Sequence, residues 1–316
     1  MGYRRSPRRG QRKRRGVEVA GDAPEKGKEE SMSETMETTV KTGSYETHLN
    51  RTGEGNDEAV LFLQGSGPGA TAWTNWQFAL PALGESYDCL APDLVGYGNS
   101  EHPDDPPQGA AAWLEIWVNQ QIDLLDNLGL ERAHLVGNSM GGALALHLLH
   151  RHPDRVDRVV LMGTMGTPHQ ITPWLDELWG FYDDPSQERM AEAIGKFVYD
   201  PDAVGGNLEA IAEERYPVAM DENVSSSFAS MFPPPRQKHV DDLTLPDLAF
   251  QRMGHPVLLV HGRDDGIIPL ETSQYLLERL PNVQMHVFGQ CRHWIMIEYA
   301  EAFNELLTDF LKGKGT

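Results

Sequence analysis

Cysteine is scarce in this chain. Only Cys89 and Cys291 occur in 316 residues, far apart. That excludes a disulfide framework and fits free thiols in a reducing, cytoplasmic setting, with a single bridge left open. Long apolar runs are also missing. Charge, Gly or Pro interrupts every Leu-rich stretch before the roughly 18 residues a membrane span needs. Basic side chains are few: 27 Lys and Arg stand against 47 Asp and Glu, for a net charge of −20. Eight of those 27 lie in the first 15 residues, MGYRRSPRRGQRKRR. The rest is strongly acidic and repels phosphate backbones, which excludes a nucleic-acid role for the main body. The basic start lacks the apolar segment of an export signal, because GVEVAGDAPEKGKEESMSETMETT follows it.

What is present is a folding chain, with 40% hydrophobic residues. Residues 1–40 read as a disordered basic and polar tail. Beyond Val40, GSYETHLNRTGEG reads as a strand and turn. Short buried strands are expected at 59–63, 87–91, 133–138, 158–163, 256–262 and 283–289. Helices are expected at 111–129, after Ser139, at 273–280 and at the C-terminal end. Strand and helix alternation gives an α/β fold with a mostly parallel central sheet flanked by helices. The alternation lapses at 167–245, which is helical and rich in Trp, Met and Phe. This segment reads as an inserted cap, or lid, on a core made of 41–166 and 246–316. Its apolar side chains pack on the sheet, line a cavity above the strands' C-terminal ends, or do both.

One segment carries chemistry at once. Gly137-Asn138-Ser139-Met140-Gly141 has the form G-x-S-x-G between a buried strand and an amphipathic helix. Such a sharp turn strains the serine backbone, admits only small neighbours and projects the hydroxyl from the sheet edge. A plain N-cap serine would need no glycine on both sides. A serine needs a base, and His293 follows the last strand at the same sheet edge. An acid should orient that imidazole. HGRDDGIIPL offers Asp264 and Asp265, and Asp265 is chosen of the two. The order Ser, Asp, His is that of hydrolases on this kind of sheet. An oxyanion would be met by the Met140 amide and by a second amide in the loop QGSGPGATAW. That loop lacks the G-K-[ST] of a phosphate cradle. His147, His150 and His152 share a helix at spacings that do not converge on a metal, and they read as surface residues.

With GSGPGATAWTNW, APDLVGYGNS, HLVGNSMGG, HGRDDGIIPLET and the block RHW…E…FN at 292–304, the chain resembles the α/β-hydrolases. Within them it resembles the meta-cleavage product hydrolases, from about Thr47 to Lys312. The resemblance implies Ser139, Asp265 and His293 as triad, and the amides of Ser66 and Met140 as oxyanion hole. It implies Asn75, Asn138, Arg215 and Trp294 as substrate contacts, Arg215 against carboxylate and enolate. It also implies hydrolysis of the C5–C6 bond of a 2-hydroxy-6-oxo-hexa-2,4-dienoate after ketonisation, a step of aromatic hydrocarbon catabolism. No cofactor or metal is implied, and the assembly would be a homo-dimer or tetramer. A carboxylesterase or lactonase with the same triad is the second enzyme reading, and a non-catalytic small-ligand-binding protein the third. Two positions depart from the family pattern. Gln64 replaces a histidine before the oxyanion glycine, and its amide is expected to hold the loop by hydrogen bonds. Arg292 replaces a small residue before His293, its charge entering the pocket or facing solvent.

Overall fold

The computed structural model describes residues 34–314, which lie in one compact unit. Eight strands form one sheet: β1 (Met36–Thr42), β2 (Tyr45–Thr52), β3 (Ala59–Leu63), β4 (Asp88–Pro92), β5 (Ala133–Asn138), β6 (Val156–Met162), β7 (Val257–Gly262) and β8 (Val283–Phe288). Their order is β1-β2-β4-β3-β5-β6-β7-β8, antiparallel at β1–β2 and β2–β4 and parallel elsewhere. β3, β4, β5 and β7 are buried along their whole length. That is why these segments read as short, mostly apolar runs, as parallel strands covered on both faces do.

β1 corrects the reading of residues 1–40 as disordered. Met36–Thr42 pairs in register with Tyr45–Arg51. Its side chains are mostly exposed, so no apolar pattern marks it. β-branched Thr38, Thr39, Val40 and Thr42 suit an extended edge strand. The rest of that reading, residues 1–33, lies outside the described residues.

Helices α1 (Ala72–Trp76), α2 (Ala79–Leu83), α3 (Ala110–Asn127) and α4 (Met140–Arg151) belong to the first half of the sheet unit. Trp113, Leu114, Trp117, Val118, Leu124 and Leu125 form the buried stripe of α3, at helical spacing. Between β6 and β7 come α5 (Pro173–Trp179), α6 (Gln187–Phe197), α7 (Leu208–Ala219), α8 (Glu222–Met231), α9 (Gln237–Asp242) and α10 (Asp247–Phe250), and no strand among the described residues. α11 (Glu271–Leu277), α12 (Ile295–Glu298) and α13 (Ala300–Leu311) complete the chain.

α4 is buried over ten successive positions, His147 included. The reading of His147 as a surface residue is therefore corrected. Its Nε2 lies 3.1 Å from the Leu243 carbonyl, and burial lowers its pKa to about 4. The neutral ring is covered by the inserted segment, a contact its own helix pattern does not disclose. Cys89 and Cys291 are free and buried. No helix among the described residues is long and apolar enough to cross a membrane.

Candidate active site

Strand register brings the site together. Leu63 of β3 is level with Gly137 of β5, Asn138 with Met162 of β6, Met162 with Val260 of β7, and Gly262 of β7 with Phe288 of β8. The loops that follow β3, β5, β7 and β8 thus open along one edge.

Ser139 joins β5 to α4 with φ 55° and ψ −117°. Among the described non-glycine residues only Ser139 and Gln290 have positive φ. The strain is held by neighbours: the Ser139 amide donates to Met162 O at 2.9 Å, and its carbonyl accepts from Gly142 and Met165. A Cβ on Gly137 would strike the Gly141 carbonyl, and one on Gly141 would strike the carbonyls of Leu63 and Gln64. The glycines around the serine are therefore imposed by packing as much as by turn shape.

His293 Nδ1 lies 2.7 Å from Asp265 Oδ2, with both side chains almost wholly buried. Asp265 Oδ1 accepts from the amides of Ile267 (2.8 Å) and Ile268 (3.0 Å). Burial alone would raise the Asp265 pKa. The charge and hydrogen bond of His293, with His261 and the Ile268 amide, outweigh it and hold the carboxyl below its usual range. Asp264 bonds Arg263 and the Gln290 amide instead. Behind Asp265 stands fully buried His261, bonded to Ser273 Oγ at 2.7 Å and Ile268 O at 3.1 Å. No hydrogen bond joins Ser139 Oγ to His293 among the described residues, a contact that commonly tightens only with substrate.

The loop after β3 is pinned from the side. Asn75 Oδ1 accepts from the Gly65 amide at 3.0 Å, and Ser66 Oγ accepts from Trp179 Nε1 of α5 at 2.9 Å. Among the described residues no acceptor takes the Ser66 amide. Met140 stands at the first position of α4, where amides point out of the helix. Gln64 is fully buried, yet neither its Oε1 nor its Nε2 has a partner among the described residues. The expectation that Gln64 holds the loop by hydrogen bonds is thus corrected, and Asn75 does this instead.

Asn75, Asn138, Arg215, His293 and Trp294 line one small enclosed cavity of about 10 Å³, together with Ser66 and Phe197. Arg215 and Trp294 also border an apolar outer cavity of about 590 Å³ that reaches Phe78, Val204, Ile211 and Val218. The Arg215 guanidinium sits 5.9 Å from the Trp294 ring centre and donates from Nε to Pro68 O at 3.0 Å. Burial lowers its pKa to about 10, which leaves it a cation at neutral pH. Asn138 donates to Met162 O at 3.2 Å, which turns its carbonyl oxygen toward Gly65.

His261 escaped the sequence reading, and Trp179 and Phe197 entered it only as apolar residues of the cap without individual roles. Phe197 stacks on Trp294, with centroids 4.4 Å apart and planes 7° apart, and lies 5.8 Å from the His293 ring. In sequence it is one aromatic among many in a helical stretch.

A strained serine between glycines, an imidazole held by a buried carboxylate and a free loop amide define a serine hydrolase site on an α/β-hydrolase sheet. The α/β-hydrolase fold family model matches residues 58–300. A 2-hydroxymuconate semialdehyde hydrolase of Pseudomonas sp. strain CF600 is 43% identical, covering 84% of this chain and 90% of its own. A 2-hydroxy-6-oxo-2,4-heptadienoate hydrolase of Pseudomonas putida F1 is also 43% identical, covering 86% and 95%. Among solved structures, a serine hydrolase from the polyaromatic hydrocarbon-degrading bacterium Cycloclasticus zankles is 46% identical. It covers 89% of this chain and 99% of its own, with a TM-score of 0.87. The chain belongs to the meta-cleavage product hydrolases of the α/β-hydrolase family.

Proposed function

We propose that this enzyme hydrolyses the C5–C6 bond of a 2-hydroxy-6-oxo-hexa-2,4-dienoate to 2-hydroxypentadienoate and a carboxylic acid. The observation that carries this reading is Arg215 in the same enclosed cavity as His293. An ester needs no cation there, whereas a dienoate carries its carboxylate and enolate to it. A carbon leaving group also needs an electron sink, which ketonisation supplies. The proton of the 2-hydroxyl is transferred to C5, leaving a 2-oxo group conjugated to the remaining double bond. Arg215 and Asn75 Nδ2 donate to the oxygens at that end while charge shifts, and the Asn138 carbonyl oxygen accepts from the 2-hydroxyl.

His293 then takes the Ser139 proton, and Oγ adds to the C6 carbonyl. The oxyanion is met by the amides of Ser66 and Met140. Collapse breaks C5–C6. The electron pair passes into the 2-oxo end as a dienolate, which is protonated, and water hydrolyses the acyl-Ser139. Asp265 fixes the imidazole tautomer throughout. Residues 167–245 act as the cap that closes this chamber, and 41–166 with 246–316 as its core. The assembly is proposed as a homo-dimer or tetramer in the cytoplasm.

The names of the 43% identical relatives, a semialdehyde hydrolase and a heptadienoate hydrolase, support a short substituent at C6, hydrogen or methyl rather than phenyl. The test is spectrophotometric. Wild type should bleach the yellow dienolate of the 6-unsubstituted (aldehyde) or 6-methyl substrate, at least about tenfold faster in kcat/KM than a 6-phenyl one. With Ser139→Ala bleaching should stop after tautomerisation, with no carboxylic acid formed. Persistent colour with wild type on all three would end the proposal. Arg215→Ala should lose about 100-fold or more on dienoates, against less than about fivefold on p-nitrophenyl acetate. Equal losses would remove its role.

A further inference from the structure

The two walls of the inner chamber are held very differently. Arg215 is tied to Pro68 O and lies over Trp294. The adjoining wall, Phe197 with His293 and Trp294, is tied by six hydrogen bonds between the insertion and the core. Arg292 Nη1 donates to Gly195 O at 2.8 Å and Val198 O at 3.0 Å, carbonyls at the C-terminal end of α6. Glu298 Oε1 accepts from the amides of Tyr199 (2.6 Å) and Asp200 (2.9 Å), just beyond that end. The amides of His293 and Trp294 both donate to Phe197 O at 3.0 Å. Glu298 Oε2 closes the figure by accepting from the Arg292 amide at 2.9 Å.

The charges match what they hold. A cation meets carbonyls left open at a helix end, and an anion meets the free amides that follow. The Arg292 guanidinium also lies 5.2 Å from the Trp174 ring centre of α5. Half-buried, it does not line the chamber but reaches the inserted helices.

We propose that Arg292 and Glu298 form a clasp that fixes the end of α6 on the catalytic histidine loop, making Arg292 a positioning residue for His293. The clasp acts through Phe197, whose backbone carbonyl takes two of the loop amides and whose ring covers His293 and Trp294. The clasp therefore holds the base against the inner chamber that it lines with Phe197 and Trp294.

This inference rests on His293 being the base, as proposed above, and its test is chosen to fail separately. Hydrogen exchange read on peptides spanning 195–203 and 290–297 needs no substrate. In Arg292→Ala, exchange at both should accelerate about tenfold or more while peptides of β5 and β6 stay unchanged. Kcat on the dienoate should fall about tenfold with KM within about twofold, because a displaced base costs turnover more than binding. Arg292→Lys, whose ammonium reaches the same carbonyls, should recover at least half of both effects. Glu298→Gln should loosen the same two peptides independently. Unchanged exchange at these peptides in Arg292→Ala, or acceleration spread evenly over the sheet, would overturn the clasp. Faster local exchange with kcat unaltered would overturn the positioning role. If wild type cleaved no dienoate, the substrate reading would fail while the exchange pattern still decided the clasp.

Discussion

At the scale of single residues, Asp265 and Asp264 show how environment separates neighbours of identical chemistry. One is buried between two amides and an imidazole, and the other is bonded at the surface to Arg263. Asp265 has a folded pKa below its unfolded value of about 3.9. Its contribution to stability is complete above that value and is lost as pH falls through the lower folded one. The difference in urea midpoint between wild type and Asp265→Asn should therefore be constant near neutrality and shrink below about pH 4. A difference that does not shrink at all on acidification below that value would contradict the assignment. The same substitution should cut dienoate turnover by about 10³-fold or more, through loss of the tautomer. Gln64 makes the opposite case. A buried amide without partners gains nothing over an apolar side chain of similar size. Gln64→Met should leave the thermal midpoint unchanged or raised, measured by calorimetry. A fall of several degrees would show that the amide is engaged.

At the scale of elements, α6 is the piece whose placement matters most to the site. Its last residue, Phe197, is both wall and fastening. Phe197→Leu keeps bulk but loses the ring stack on Trp294, at a cost of about 1 kcal/mol in urea unfolding together with slower dienoate turnover. An unchanged urea midpoint would show that the stack contributes nothing. Elements also set what the chain discloses before folding. The buried strands were legible because burial on both faces leaves short apolar runs, unbroken in β3 and interrupted by Asp88 in β4 and His134 in β5. The serine turn was legible because collisions with Leu63 and Gly141 carbonyls demand glycine. β1 was not, since an exposed edge strand carries no apolar period. The partners of Arg292 were not either, because they lie 94 and 97 residues upstream and are backbone carbonyls, which have no sequence signature. For the same reason the unbonded state of Gln64 and the burial of His147 emerge only when distant segments are in place.

At the scale of the whole molecule, the charge of −20 acts on every encounter. The proposed substrate is an anion, so the surface field opposes its approach even though Arg215 welcomes it at the end. Added salt should screen that field. Kcat/KM on a dienoate should rise severalfold between about 10 and 300 mM ionic strength, measured at low substrate, while a neutral p-nitrophenyl ester shows no such rise. A flat profile for both would mean that the entrance is shielded from the net charge.

The two cavities that share Arg215 and Trp294 have one more consequence. The outer, apolar one is far larger than the inner and does not include Ser66 or His293 in its lining, so on the proposed reading admission and reaction fall at different addresses. A hydrocarbon can lodge in the first without ever qualifying for the second. Such molecules, including the unreacted aromatic compounds that accompany a ring-cleavage product, become plugs in a corridor, and their potency tracks how well they fill it and not how closely they imitate the dienoate.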